Sequence, residues 1–368
     1  MTALSQWVTT PDFNAHATKG IDEVYNLDFE KAKQEFSYLE RTYPSHPAGK
    51  FFLAMIDWWN ILLDIDDDSK DDRFFDKLDG VIDLCDSLLD INENDVSALF
   101  FKGGALGYRG RLHANRGHWL RAANDGRLAL PIVQHAYKIA PNNYDILLGM
   151  GIYNYYAAII PEEYPIVKPL MLFFPSGNKK LGIHQLQEAS EKAQFAAVES
   201  QYFLLQLNYS YEHRYDTAYV LAASLFARYP NNVIFHRYLG RTEYALNRYQ
   251  DAEKTFSEVW LRCEKNQRGY FPPAEREAFY YLGLCALNLR RYDEAVKYFI
   301  RCDSLNRRID TDDGTGYTAM ANLKMGMAYD GGKERSLAEK QYRKVLGMRN
   351  YESSHDLAEK YLKTPFSQ

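Results

Sequence analysis

Arg109, Arg111 and His113, followed by Arg116 and His118, make one dense run of residues suited to an anion. Guanidinium groups offer fixed donors to a carboxylate or phosphate, and an imidazole can exchange a proton beside them. With Asp125 they could form an anion-handling site centred on Arg109, Arg111 and His113. Such a run next to acids equally forms a surface ion network or an interaction with a helix end. A second candidate is the acidic stretch from Asp64 to Asp72, where Asp64, Asp66 and Asp68 have the opening spacing of a calcium loop. Ser69 stands where that loop turns on glycine, and Phe75 where it ends in a bidentate glutamate. A solvated loop leading into an aspartate-capped helix is therefore expected. The nine histidines have no HExxH spacing, and no GxSxG elbow, Walker loop or dinucleotide fingerprint occurs. The expectation is a protein without catalytic residues, metal or cofactor.

The elements that hold these residues must be soluble and well packed. Of 368 residues, 46% are apolar and 25% charged, which suits a folded chain with a large core. A net charge of −5 argues against nucleic-acid binding, which usually goes with a basic excess. No stretch approaches the roughly 18 apolar residues of a membrane span, so no integral membrane segment is expected. Met1 to Phe13 has neither the basic start nor the apolar run of a signal peptide, and a cytoplasmic location follows as the expectation. Cys85, Cys263, Cys285 and Cys302 form no CxxC pair and read as core thiols.

A helix pair recurs along the chain. One copy carries Leu239-Gly240 and Tyr244, then Tyr249, Ala252 and Phe256; the next carries Leu282-Gly283, then Tyr292, Ala295 and Phe299. Met325-Gly326, Tyr329, Ala338 and Tyr342 repeat it, as do Leu205, Tyr209, Tyr215, Ala218 and Pro230. Gly20, Phe29, Ala32, Phe36 and Pro44 open the series. Small residues let two helices approach, and an aromatic one turn after the second fills space toward the next pair. Pro44, Pro141 and Pro230 fall where second helices should end.

These residues resemble the tetratricopeptide-repeat (TPR) family, whose unit is about 34 residues. The whole chain is similar to bacterial TPR proteins without an assigned role. The resemblance implies an all-α, right-handed α-solenoid of about eight helix pairs, starting near Phe13, Pro47, Val96, Tyr144, Glu199, Val233, Arg276 and Ala319. Residues 1–368 are expected as one solenoid: an irregular half over 13–198, regular units over 199–352 and a capping helix over 353–364.

Three departures mark the irregular half. The acidic stretch over 64–72 is one. The second is the stripe Gly103, Gly107 and Gly110, which leaves a helix face bare for close approach. The third is the insertion over 159–178, where Pro161, Pro165, Pro169 and Pro175 interrupt a strongly apolar run. Such a run must be covered, by the solenoid itself, a partner protein or a membrane surface. Gly151-Ile152-Tyr153-Asn154, Pro161, Phe174, Gly177-Asn178, Gly182 and Leu186 together resemble a eukaryotic TPR family of the inclusion-body-clearance, mitochondrial-outer-membrane type.

First helices line the concave face of a TPR array. Register from the small residue assigns Phe51, Met55, Trp58, Trp59, Tyr155, Tyr156, Phe203, Tyr211, Arg237, Arg241, Tyr244 and Tyr280 to that face. Leu148, Ile152, Leu207, Leu284 and Leu287 fall in the same slots. Aromatics and arginine dominate binding hot spots, so a non-catalytic scaffold holding a peptide or protein segment is expected. A clamp for a chaperone tail is disfavoured, because the charge sits in one repeat. A membrane-surface adaptor built on the insertion is the alternative, followed by an anion-handling enzyme site.

Overall fold

The computed structural model describes residues 10–163, 175–310 and 316–367. Among these residues there are 17 helices and no strand. In chain order they are α1 (Pro11–Tyr25), α2 (Phe29–Thr42), α3 (Ala48–Leu63), α4 (Asp71–Ile91), α5 (Val96–Asn115), α6 (Trp119–Ile139), α7 (Ile146–Glu163), α8 (Lys179–Lys192) and α9 (Ala197–Ser210). There follow α10 (Tyr215–Arg228), α11 (Val233–Ala245), α12 (Tyr249–Glu264), α13 (Pro272–Asn288), α14 (Tyr292–Ile309), α15 (Gly316–Gly331), α16 (Arg335–Leu346) and α17 (Ser354–Lys363). Odd-numbered helices up to α15 are the first helices of eight TPR-like pairs, and α17 is the expected terminal helix. Most of the apolar insertion, and the membrane contact considered for it, lies outside the described residues.

Small-to-aromatic contacts set the pair geometry. A methyl in place of the Gly240 hydrogen would sit 2.6 Å from Phe256, and the same holds for Gly283 with Phe299. Gly326 faces Tyr342 and Gly20 faces Phe36 in the same way. Each ring thus covers the glycine of its own pair. It also reaches onward: Phe256 stacks on Tyr281 at 4.6 Å and Phe36 on Phe52 at 5.1 Å.

The described residues form two compact units, Met1–Glu212 and His213–Gln368. In the first, the fifth first-helix folds back on the earliest ones. Tyr25 on α1 donates to Glu199 on α9 at 3.1 Å, and Trp59 on α3 packs on Tyr202 at 5.4 Å. Phe195 touches both Phe13 and Phe52. In the second unit, Arg335 donates to the carbonyls of Tyr361 and Leu362, satisfying the exposed end of α17.

The entry and exit of the insertion are fixed. Buried Asp145, just before α7, accepts from the backbone N–H groups of Gln194, Phe195 and Ala196. Tyr153 donates to the Pro175 carbonyl at 2.5 Å. Gly177 lies against the α7 backbone, and Asn178 caps α8 by accepting from the Leu181 N–H. Of the glycine stripe on α5, a β-carbon at Gly103 would meet Val133 and one at Gly110 would meet Asp125 and the Ala122 carbonyl, whereas one at Gly107 would point into open space.

A β-carbon at Gly182 would sit 2.6 Å from the Tyr155 nitrogen and 2.8 Å from the Gly151 carbonyl oxygen, both backbone atoms that cannot step aside. Gly182→Ala is therefore expected to cost about 1–3 kcal/mol in denaturant unfolding. Gly107→Ala, with open space and a helical backbone, is expected to gain about 0.5–1 kcal/mol in the same assay. Equal stability of the Gly182→Ala chain would mean that α7 and α8 do not touch there.

Candidate functional site

The basic run does not form one site. Residues two apart on a helix point to different sides, so Arg109 and Arg111 diverge. Arg109 donates to Asp125 through Nε at 3.0 Å and Nη2 at 2.6 Å, and its third arm meets Asp79. The hydrogen bonds to Asp125 raise its pKa further. Phe75, Asp79, Arg109, His113, Leu120 and Asp125 line an open cleft of about 540 Å³ between α4, α5 and α6. His113 is buried there, stacked on Phe75 at 4.6 Å, and burial lowers its pKa.

Arg111 lies apart from this cleft, between the rings of Trp58 (4.8 Å) and Phe203 (4.4 Å), and donates to Glu199 and Gln206. Burial holds the Glu199 carboxyl above its ordinary pKa, against the opposing pull of Arg111. Arg116 binds Asp71 and the carbonyls of Ile65 and Asp67, so it ties down the acidic loop. The three arginines therefore serve separate carboxylates, Arg109 two of them and Arg111 and Arg116 one each, and Arg109, Arg111 and His113 are not gathered round one anion.

Of the eight inward positions assigned in the first unit, six are buried: Phe51, Met55, Trp58, Trp59, Tyr155 and Phe203. Tyr156 and Tyr211 remain partly exposed. Trp58, Trp59 and Phe203 are covered where α9 folds back over α1 and α3, whereas Phe51 packs on Phe101 and Tyr108 of α5 and Tyr155 on Tyr211. Tyr155 is held further by its hydroxyl, which donates to Glu212 at 2.6 Å.

The second unit keeps its first-helix face polar. Arg237 and Arg241 on α11 converge on Glu277 of α13, whose side chain is 0% exposed. Arg237 Nε reaches Oε2 at 2.9 Å, and Arg241 Nε reaches Oε1 at 2.5 Å. Tyr317 on α15 also donates to Glu277, at 3.1 Å. Burial works against the Glu277 carboxylate, but the two guanidiniums outweigh it and hold its pKa well below the ordinary 4.5. Tyr244 accepts from Asn288 and packs on Tyr281, and Tyr280 packs on Tyr317 at 5.3 Å. Tyr244, Tyr280 and Tyr317 stay partly exposed. Sequence reasoning assigned the arginines and tyrosines but missed Glu277 and Tyr317. The available signal was an acid one helical turn before the inward-facing Tyr280.

The motif around the insertion has a geometric basis. Gly151 and Gly182 are the crossing point of α7 and α8, where Leu186 also packs. Asn154 donates to Gln185 at 2.8 Å beside that crossing. A family model described as Iml2/Tetratricopeptide repeat protein 39 matches residues 145–330, slightly more than half of the chain. The chain belongs to this family. The Iml2/TPR39 match runs from the α7–α8 crossing through the Arg237–Glu277–Arg241 cluster, so both features fall in the matched part. No curated protein matches the chain. Among solved structures, a Rap protein complexed with competence and sporulation factor is 12% identical, with a TM-score of 0.48, 96% of this chain and 97% of that one covered. Yeast Tom70 is 12% identical at a TM-score of 0.39, over 95% and 87% of the two chains. The Cut9–Hcn1 hetero-tetramer of APC/C gives 14% identity and a TM-score of 0.46, over 90% and 59%.

Because folding lowers the Glu277 pKa, its ion pairs contribute fully above the unfolded value of 4.5 and are lost as pH falls below it. Glu277→Gln is expected to unfold about 3–5 kcal/mol more easily at pH 7. The gap to the parent chain should narrow below pH 4.5 in thermal melts at stepped pH.

Proposed function

We propose that this Iml2/TPR39-family chain is a non-catalytic scaffold that holds a peptide or protein segment on the first-helix face of its second unit. The observation that carries this reading is the polar, partly open cluster of Arg237, Arg241, Tyr244, Tyr280 and Tyr317, braced from beneath by buried Glu277. A preset orientation of donors and rings lowers the ordering cost of binding. Arginine and tyrosine are also the side chains that most often carry binding energy.

Other groups support a role outside catalysis. Burial raises all four cysteine thiols to about 12, so they are not nucleophiles at neutral pH. The guanidinium in the α4–α6 cleft is already neutralised by Asp79 and Asp125.

Affinity capture from native lysate tests the reading. The parent chain is expected to retain a defined protein, and Tyr244→Ala with Tyr280→Ala to weaken that retention about tenfold or more, as loss of a hot-spot ring does. Leu261→Ala, at an exposed position on the second helix α12, should leave it unchanged. Equal loss in both variants, or none in either, would count against this face.

A further inference from the structure

The second unit's face carries donors that its own carboxylates leave unused. Arg237 and Arg241 each spend Nε and Nη2 on Glu277, and no described residue engages either Nη1. Their side chains keep 16% and 22% of their surface exposed. A third cation, Lys324, lies on α15 seven residues beyond Tyr317, two turns along the same side of the helix and about 10 Å away along its axis. Lys324 is partly buried, and no described carboxylate forms an ion pair with it. Exposed Glu352 reaches it only through its longer-range field, which is weaker than the desolvation that disfavours its charge. An ammonium drawn out of water without a counter-ion is costly, and a carboxylate from outside would relieve that cost. Counting Glu277, Glu352 and the Arg276–Asp310 pair over Tyr317, four cations meet three carboxylates, so the face is positive in a chain whose net charge is −5.

We propose that this face takes an acidic segment of a partner protein in extended form, with one side-chain carboxylate on the unspent Nη1 groups of Arg237 and Arg241 and a second on Lys324. A side chain between them lies on Tyr280 and Tyr317. The inference rests on the peptide-binding reading above and adds the chemistry of the peptide. The spacing decides the source of charge. Tyr317 shares Glu277 with the two guanidiniums, so the rise from Tyr317 to Lys324, on the order of 10 Å, sets the scale of their separation, roughly three residues of extended chain, and two acids three positions apart match it. A terminal carboxylate alone meets only one of them. Glu277 acts here as a positioning residue: it fixes both guanidiniums through Nε and Nη2 and leaves their Nη1 donors unspent.

The test is fluorescence anisotropy with the full chain and a labelled, N-acetylated, C-amidated octapeptide whose core reads aspartate, alanine, leucine, aspartate. Binding is expected to weaken about tenfold when either aspartate becomes asparagine, and to fall steeply with added salt. Lys324→Met, which keeps the apolar stem and the fold, should cause a similar loss, and Lys324→Arg should restore binding. Thermal melts confirm that each variant is folded, and Lys324→Gln serves as a second neutral variant. Equal affinity for the aspartate and asparagine peptides, unchanged affinity in Lys324→Met, or no binding of the acidic peptide would overturn the proposal. So would tighter binding of a neutral peptide with a free C-terminal carboxylate, which would leave the peptide-binding reading intact. Failure of that broader reading shows separately, as lysate capture indifferent to Tyr244→Ala with Tyr280→Ala.

Discussion

A glycine hydrogen facing an aromatic ring is the contact on which these repeats are built. At Gly20, Gly240, Gly283 and Gly326 there is no room even for a methyl group, because a ring from the second helix fills the space. This sets the separation of the two helices, and the outer edge of the ring then sets where the next pair begins. Close packing of this kind tolerates little change in volume. It therefore fixes the direction of the first helix in these four pairs, and with it which of their residues reach the inner face.

The two units use that inner face differently. In the first, large rings and the fold-back of α9 seal it, and the polar groups caught inside must be satisfied locally. Arg111 is accordingly wedged between two rings and bonded to Glu199 and Gln206. In the second, the face is built around Glu277, which cannot be buried without cations beside it. The arginines that answer this need are long enough to keep part of themselves in water. Burying one acid thus leaves two oriented, partly solvated cations.

Helix order and pairing were legible because each rests on local spacing: the glycine, the alanine twelve positions on, and the ring four later. Gly151 and Gly182 were legible only as part of a family resemblance, and the structure gives them their role as the close backbone contact of α7 and α8. Contacts between residues far apart in sequence were not. Nothing near Trp58 or Trp59 announces that α9 will cover them, because the covering residues lie about 140 positions later. Three nearby arginines looked like one cluster on a line of text, but helical rotation sends them to different acids. Glu277 was overlooked because an acid on an inner face looks misplaced until its two guanidiniums are seen.

The pinned ends of the insertion have an evolutionary consequence. Asp145 ties the start of α7 to the turn before α9, and Tyr153 and Gly177 hold the returning chain against α7. Residues that flank 164–174 thus tie both ends of the insertion to α7. Drift in length between those ties leaves the ties themselves in place, which makes this position the natural graft point in the scaffold.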